Sequence, residues 1–121
     1  MSVFTDQEKF MVAGDQTVGH FNEAQFNMYV DLIHEEFNVE LQEAIENKDQ
    51  VEIFDALLDI MVVTIGAMHS LGVDARGGWD EVMATNFAKI DPTTGKVIKR
   101  EDGKILKPEG WVAPDLKKFI R

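Results

Sequence analysis

Glu36-Phe37-Asn38-Val39-Glu40-Leu41-Gln42-Glu43 and, after a short break, Glu52-Ile53-Phe54-Asp55-Ala56-Leu57-Leu58-Asp59 are the stretches whose reading decides the fold. At about 100° per residue, Glu36, Glu40 and Glu43 fall within roughly 60° of one another on a helix. Glu52, Asp55 and Asp59 do the same. Numbered outward from the break, 43 pairs with 52, 40 with 55 and 36 with 59, and every pair has the same sum. A reversal at Asn47-Lys48-Asp49 therefore predicts two antiparallel helices on which each acid stands opposite another acid. Between Glu23 and Asp74 the only full positive charge is Lys48. Like charges at close range cost free energy unless a cation sits between them, and the side chains nearby cannot supply it.

Acids on one helix face ordinarily mark the solvated side. Here they extend faces that are apolar at the other end of each helix. Gln25, Met28 and Leu32 lead into Glu36, Val39, Glu40 and Glu43, while Asp55 and Asp59 lead into Val62, Gly66 and His69. Each helix also carries another apolar stripe: Val30, Ile33, Phe37, Leu41 and Ala44 on the first, and Ile53, Leu57, Ile60, Thr64 and Met68 on the second. Two apolar sides per helix predict burial on several sides, as in a bundle interior or an oligomer. The cluster thus reads as a divalent-metal site. Oxygen-only donors select hard ions such as Mg²⁺, Mn²⁺ or Ca²⁺ over zinc. No EF-hand loop is present, and neither His34 nor His69 makes the Glu-x-x-His pair of a di-iron bundle.

Composition bounds the remaining choices. The chain has 121 residues, 45% of them hydrophobic, with a formal net charge of −10. That is one globular domain, whose acidity argues against nucleic-acid polymers or anionic membranes as partners. An anionic substrate stays open, because bound metal reverses the local sign of an acidic site. Cysteine is absent, so disulfides and thiolate metal sites are excluded. No signal peptide is recognisable, and the apolar run Ile53–Leu71 contains Asp55, Asp59 and His69, as a buried helix does and a membrane span does not. A cytoplasmic location is expected.

Local signals divide the single domain 1–121 into an N-terminal segment 1–20, a helical core 21–90 and a basic arm 91–121. A short helix is expected over Thr5–Ala13. Asn22 then caps a long helix to about Glu46, and a second runs from about Gln50 to Leu71 and stops at Gly72. A third begins near Asp74 or Gly78 and continues to Ile90, where Asp91-Pro92 ends it. Lys96–Arg100 and Lys104–Lys107 flank Glu101-Asp102-Gly103 as a small β-hairpin. The fold class is all-α, an antiparallel helical bundle with a short C-terminal hairpin or extended arm.

In this arrangement the chain resembles the MazG-like all-α nucleoside triphosphate pyrophosphohydrolases, which include phosphoribosyl-ATP pyrophosphohydrolase. The resemblance rests on Leu32-Ile33-His34-Glu35-Glu36, Glu40-Leu41 and Asp55-Ala56-Leu57-Leu58-Asp59-Ile60. It extends to Asn86-Phe87-Ala88-Lys89 and to Asp102-Gly103-Lys104-Ile105-Leu106-Lys107-Pro108, whose order is that of the small phage and bacterial branch. The resemblance implies a helical homodimer or homotetramer that binds Mg²⁺, with Mn²⁺ as a substitute. It also implies cleavage of a nucleotide between its α- and β-phosphates. The family's motif sets two acids three residues apart on each helix. Here Phe37 stands three before Glu40 and Ala56 three before Asp59, and the acids lie four before; Glu40 to Glu43 and Glu52 to Asp55 are the alternative frames with the three-residue spacing.

On this basis Glu36, Glu40 and Asp59, then Asp55, are the expected metal ligands, with Glu43 or Glu35 positioning the attacking water. Asn86 and Lys89 share a helical face, and the resemblance assigns them phosphate or sugar contacts; a solvated helix end is the alternative. Lys104 and Lys107 either close over substrate phosphates or pack on a neighbouring subunit. Phe10, Gln16 and Phe21 line a base pocket by family position. Trp79 and Trp111 read as core or interface aromatics more than as base-stacking groups. The rival to an enzyme is a non-catalytic oligomeric module that binds metal for stability. Phosphoribosyl-ATP is the second substrate reading, because the basic tail matches the other branch.

Overall fold

The computed structural model describes residues 1–121 and is built of helices without a β-strand. The chain divides into two compact units, Met1–Ala75 with Ile120–Arg121, and Arg76–Phe119. The first holds α1 (Val3–Ala13), α2 (Glu23–Glu35), a five-residue π-helical turn (Glu36–Glu40), α3 (Leu41–Glu46) and α4 (Gln50–Leu71). α4 is the central rod, against which α1, α2 and α3 all pack.

Caps account for the boundaries. The Asn22 side chain accepts a hydrogen bond from the Gln25 amide, and Asp49 accepts from the amides of Val51 and Glu52. Both satisfy donors that the first helical turn leaves unpaired. Between α3 and α4, Lys48 adopts a left-handed φ of 52°. Its amide donates to Ile45 O and that of Asp49 to Ala44 O, the paired bonds of a Schellman stop. α4 ends where expected, at Gly72 with φ 81°; a Cβ there would lie 2.6 Å from the Phe21 amide nitrogen.

The core gathers Met11, Tyr29, Val63 and Ala67, with Val18, Phe26, Leu32 and Ile33 packed around them. Tyr29 lies so close to α4 that a Cβ at Gly66 would be 2.3 Å from its ring, so the helix needs glycine there. Polar groups at the rim are paired. Gln25 bonds Thr17 through both ends of its amide and also donates to Ser70 Oγ. The Tyr29 hydroxyl donates to Gln16, and His69 Nε2 meets Phe4 O at 2.9 Å. His69 is thereby a structural residue.

In the second unit, α5 (Ala75–Phe87) is followed by an arm that runs back along it. Trp111 Nε1 donates to Thr85 O at 2.7 Å, the Asp115 amide donates to Glu81, and Leu116 meets Gly78. The expected hairpin contracts to one antiparallel bridge, Lys99 with Ile105, closed by a turn over residues 100–104. An unsupported two-stranded ribbon is marginal, which accounts for the lack of strands. α5 also stops three residues short of the expected Ile90. The amides of Lys89 and Ile90 bond three residues back, to Asn86 O and Phe87 O, tightening the last turn. No helix is long and apolar enough to cross a membrane.

Candidate active site

The acid cluster begins with an irregularity in the backbone. From Glu23 to Glu46 the rod stays helical, with right-handed dihedrals on both sides of residues 36–40. Within that turn the Leu41 amide donates to Glu36 O, five residues back. A π turn takes about one residue more than an α turn, so four residues sweep slightly less than a full circle. Three residues do the same in an α-helix. Glu36-x-x-x-Glu40 across this turn therefore presents its two carboxylates as Glu-x-x-Glu would on a regular helix. The π turn thus accommodates the one-residue offset at Phe37. On α4 there is no such turn, and Asp55 and Asp59 remain four apart on a regular helix.

Across the α3–α4 reversal, Glu36, Glu40, Glu52, Asp55 and Asp59 line one cleft of about 60 Å³ together with Ala56. Ala56 is buried, and its small side chain lets the two helices approach beneath the acids. The carboxyl of Glu36 is pushed above the ordinary carboxylate range, first by burial, then by the charges of Asp59, Glu40, Glu35 and Asp55. Dominance of Asp59 among those charges agrees with the 36–59 pairing. The ion pairs Arg100–Asp102 and Lys118–Glu81 both belong to the other unit, and none of the cleft's acids is in an ion pair. In their present rotamers no three acids converge on one point at coordinating distance.

The donor set fits a hard divalent cation. It offers oxygen only, on two rigid helices, in a space several times the ~15 Å³ that one water needs. Of the expected ligands, Glu36, Glu40, Asp55 and Asp59 all line the cleft. Glu35 lies close enough to raise the Glu36 pKa but is not a lining residue, and neither is Glu43. Glu52, outside the expected ligand set, lines it as well, in keeping with its place in the mirrored run.

A family model for phosphoribosyl-ATP pyrophosphohydrolase matches residues 10–86, more than half of the chain and the whole of the acid cluster. The chain belongs to the phosphoribosyl-ATP pyrophosphohydrolase family. A comparison with curated proteins found no match. Membership makes this phosphoribosyl-ATP pyrophosphohydrolase family protein a hydrolase of a nucleotide phosphoanhydride bond. It also agrees with the MazG-like resemblance and the all-α architecture, and it removes the non-catalytic rival.

The remaining expected site residues of this family member fall in different surroundings. Gln16 is engaged by the Tyr29 hydroxyl. Phe10 and Phe21 are exposed. Asn86 accepts from Lys89 Nζ at 3.2 Å, and Lys89 and Lys107 both approach the Trp111 ring. Lys104 stands apart from these contacts, exposed in the turn where Asp102 bonds its amide and pairs with Arg100.

Proposed function

We propose that the protein is a Mg²⁺-dependent hydrolase that cleaves a nucleoside or deoxynucleoside triphosphate, or a related nucleotide, between its α- and β-phosphates. Water supplies the new oxygen of the monophosphate, and pyrophosphate leaves. The observation that carries this reading is a cleft of five carboxylates with no side-chain cation to balance them. Glu36, Glu40, Asp55 and Asp59 would hold Mg²⁺, or Mn²⁺ in its place. The ion would supply charge neutralisation and polarisation at the phosphate under attack. A carboxylate outside that ligand set, Glu35, Glu43 or the cleft-lining Glu52, would orient the water and take its proton. Asn86, Lys89, Lys104 and Lys107 would meet the phosphates, and Gln16 the base side of the nucleotide. Homodimeric or homotetrameric assembly in the cytoplasm belongs to the same reading. The exposed apolar residues Leu58, Met61 and Val62 of α4, which form a groove with Val3 of α1, support the assembly. A second substrate, phosphoribosyl-ATP, is favoured by the family model that matches the chain.

The test is a panel of canonical and modified NTPs and dNTPs, with phosphoribosyl-ATP, assayed with Mg²⁺ or Mn²⁺ for pyrophosphate and monophosphate. Turnover of a triphosphate is expected; release of neither product from any compound would overturn the proposal. Dominant turnover of phosphoribosyl-ATP would select the second substrate. Asp59→Asn should abolish turnover and the metal-induced rise in melting temperature while leaving the helical circular dichroism unchanged. Full activity in that variant would remove Asp59 from the ligand set.

A further inference from the structure

Outside the acid cleft, two lysines without an ion-pair partner meet at Trp111 in the second unit. Lys89 Nζ lies 5.1 Å from the centroid of the Trp111 ring and Lys107 Nζ lies 5.0 Å from it. One lysine comes from just beyond α5 and the other from the arm, and neither is in an ion pair. The ring itself is anchored: its Nε1–H donates to Thr85 O at 2.7 Å. That carbonyl is open to it because the Lys89 amide bonds Asn86 O and not Thr85 O. Lys89 is further fixed by Asn86 Oδ1. Both ammonium groups are thus held at one indole, where the ring's π system and the negative C-terminal end of α5 favour positive charge. Neither has a carboxylate partner, so an anion with several charged oxygens would find two tethered cations at one ring.

We propose that Trp111 is the positioning residue of a polyphosphate subsite. Through its ring it holds Lys89 and Lys107 as a pair beside Asn86, and the pair takes the phosphates of the nucleotide. The inference rests on the proposed triphosphate chemistry only for the identity of the anion. Lys104 is not part of the pair. The rival occupant of the two lysines is an acidic face of a second copy of the chain.

Indole ¹⁵N–¹H spectra of the wild-type protein, recorded with EDTA present, test this without any substitution in the sample. Addition of inorganic tripolyphosphate should shift the Trp111 signal saturably and leave that of Trp79 in place, the two being assigned with the Trp111→Phe variant. An unmoved Trp111 signal overturns the proposal. By calorimetry, Trp111→Leu should weaken tripolyphosphate binding about tenfold, and Trp111→Phe, which keeps a ring, should recover most of the loss. In turnover assays Trp111→Leu should raise KM and spare kcat. Unchanged tripolyphosphate affinity in a folded Lys89→Gln/Lys107→Gln variant also overturns it, and a simultaneous drop in oligomeric mass would assign the lysines to subunit docking. Asp59→Asn should bind tripolyphosphate normally under EDTA, so failure here and failure of the hydrolase reading are distinguishable.

Discussion

At the scale of single residues, the acid cleft is a store of repulsion that the proposed cation would convert into stability. Glu36 carries the clearest sign of it, since burial and then Asp59 hold its carboxyl above the ordinary value of 4.5. A carboxyl whose folded pKa is raised binds its proton more tightly in the folded state than in the unfolded one. Protonation therefore favours the fold, and stability is lost as pH rises from about 4.5 through the raised value. Without divalent metal, the contribution of Glu36 should make the protein less stable at pH 7 than at the acid edge of that window. With millimolar Mg²⁺ the order should reverse, because the metal binds only the deprotonated acids. The stabilisation by Mg²⁺, read as a rise in melting temperature, should thus grow with pH, reaching about 2.7 kcal/mol if the metal stands at a hundred times its Kd. Differential scanning fluorimetry across pH, with and without metal, checks this. Glu36→Gln should flatten the metal-free pH dependence, and a Mg²⁺ response independent of pH would contradict the assignment.

The elements owe their ends to chemistry of different range, and that range decides how much was legible. Asn22, Asp49 and Gly72 act on neighbours within a few residues, so the limits of α2 and α4 could be read directly from the sequence. The facing of the acids was legible for the same reason, since helical spacing and one reversal suffice. The π turn was not, because Glu36 and Glu40 sit comfortably four apart on an ordinary helix too; what widens the turn is backbone hydrogen bonding. The end of α5 escaped because the group that takes up Thr85 O is Trp111, 26 residues further on. Alternation at residues 96–107 specifies a ribbon but supplies nothing to cover it, and the expected hairpin is reduced to the Lys99–Ile105 bridge. If the π turn is a one-residue insertion, deleting exposed Asn38 should return the rod to regular α-helix without rotating the faces on either side. The deletion variant should keep its helical circular dichroism and its Mg²⁺ response, with a melting temperature equal to or above the parent's. A fall of more than about 5 °C, roughly 1 kcal/mol for a domain of this size, would show that the widened turn is needed for packing.

For the whole molecule, charge and apolar surface are both distributed unevenly. The helical unit holds 15 of the 22 acidic and three of the 12 basic residues, a net −12, and the second unit holds the other seven and nine, a net +2. Leu58, Met61 and Val62 stay 41–49% exposed along α4, on a helix otherwise central to its unit. The proposed self-association would cover them, and light scattering should then give twice or four times the 13.7 kDa of one chain. The pair Leu58→Glu/Met61→Glu should reduce that mass to a single chain; a wild-type monomer at micromolar concentration would rule the face out. One further feature concerns the path of the chain. It leaves the helical unit after Ala75 and returns at Ile120, which bridges Val73 while the Arg121 amide donates to Gly72 O. Both feet of the 76–119 excursion thus stand on the same few residues at the end of α4, as an inserted cassette would. Doubling the length of such a loop adds only about 0.6 kcal/mol of closure entropy. The closure of the 76–119 excursion therefore sets almost no limit on its length, and changes of length within it leave the anchor points at Gly72 and Val73 where they are.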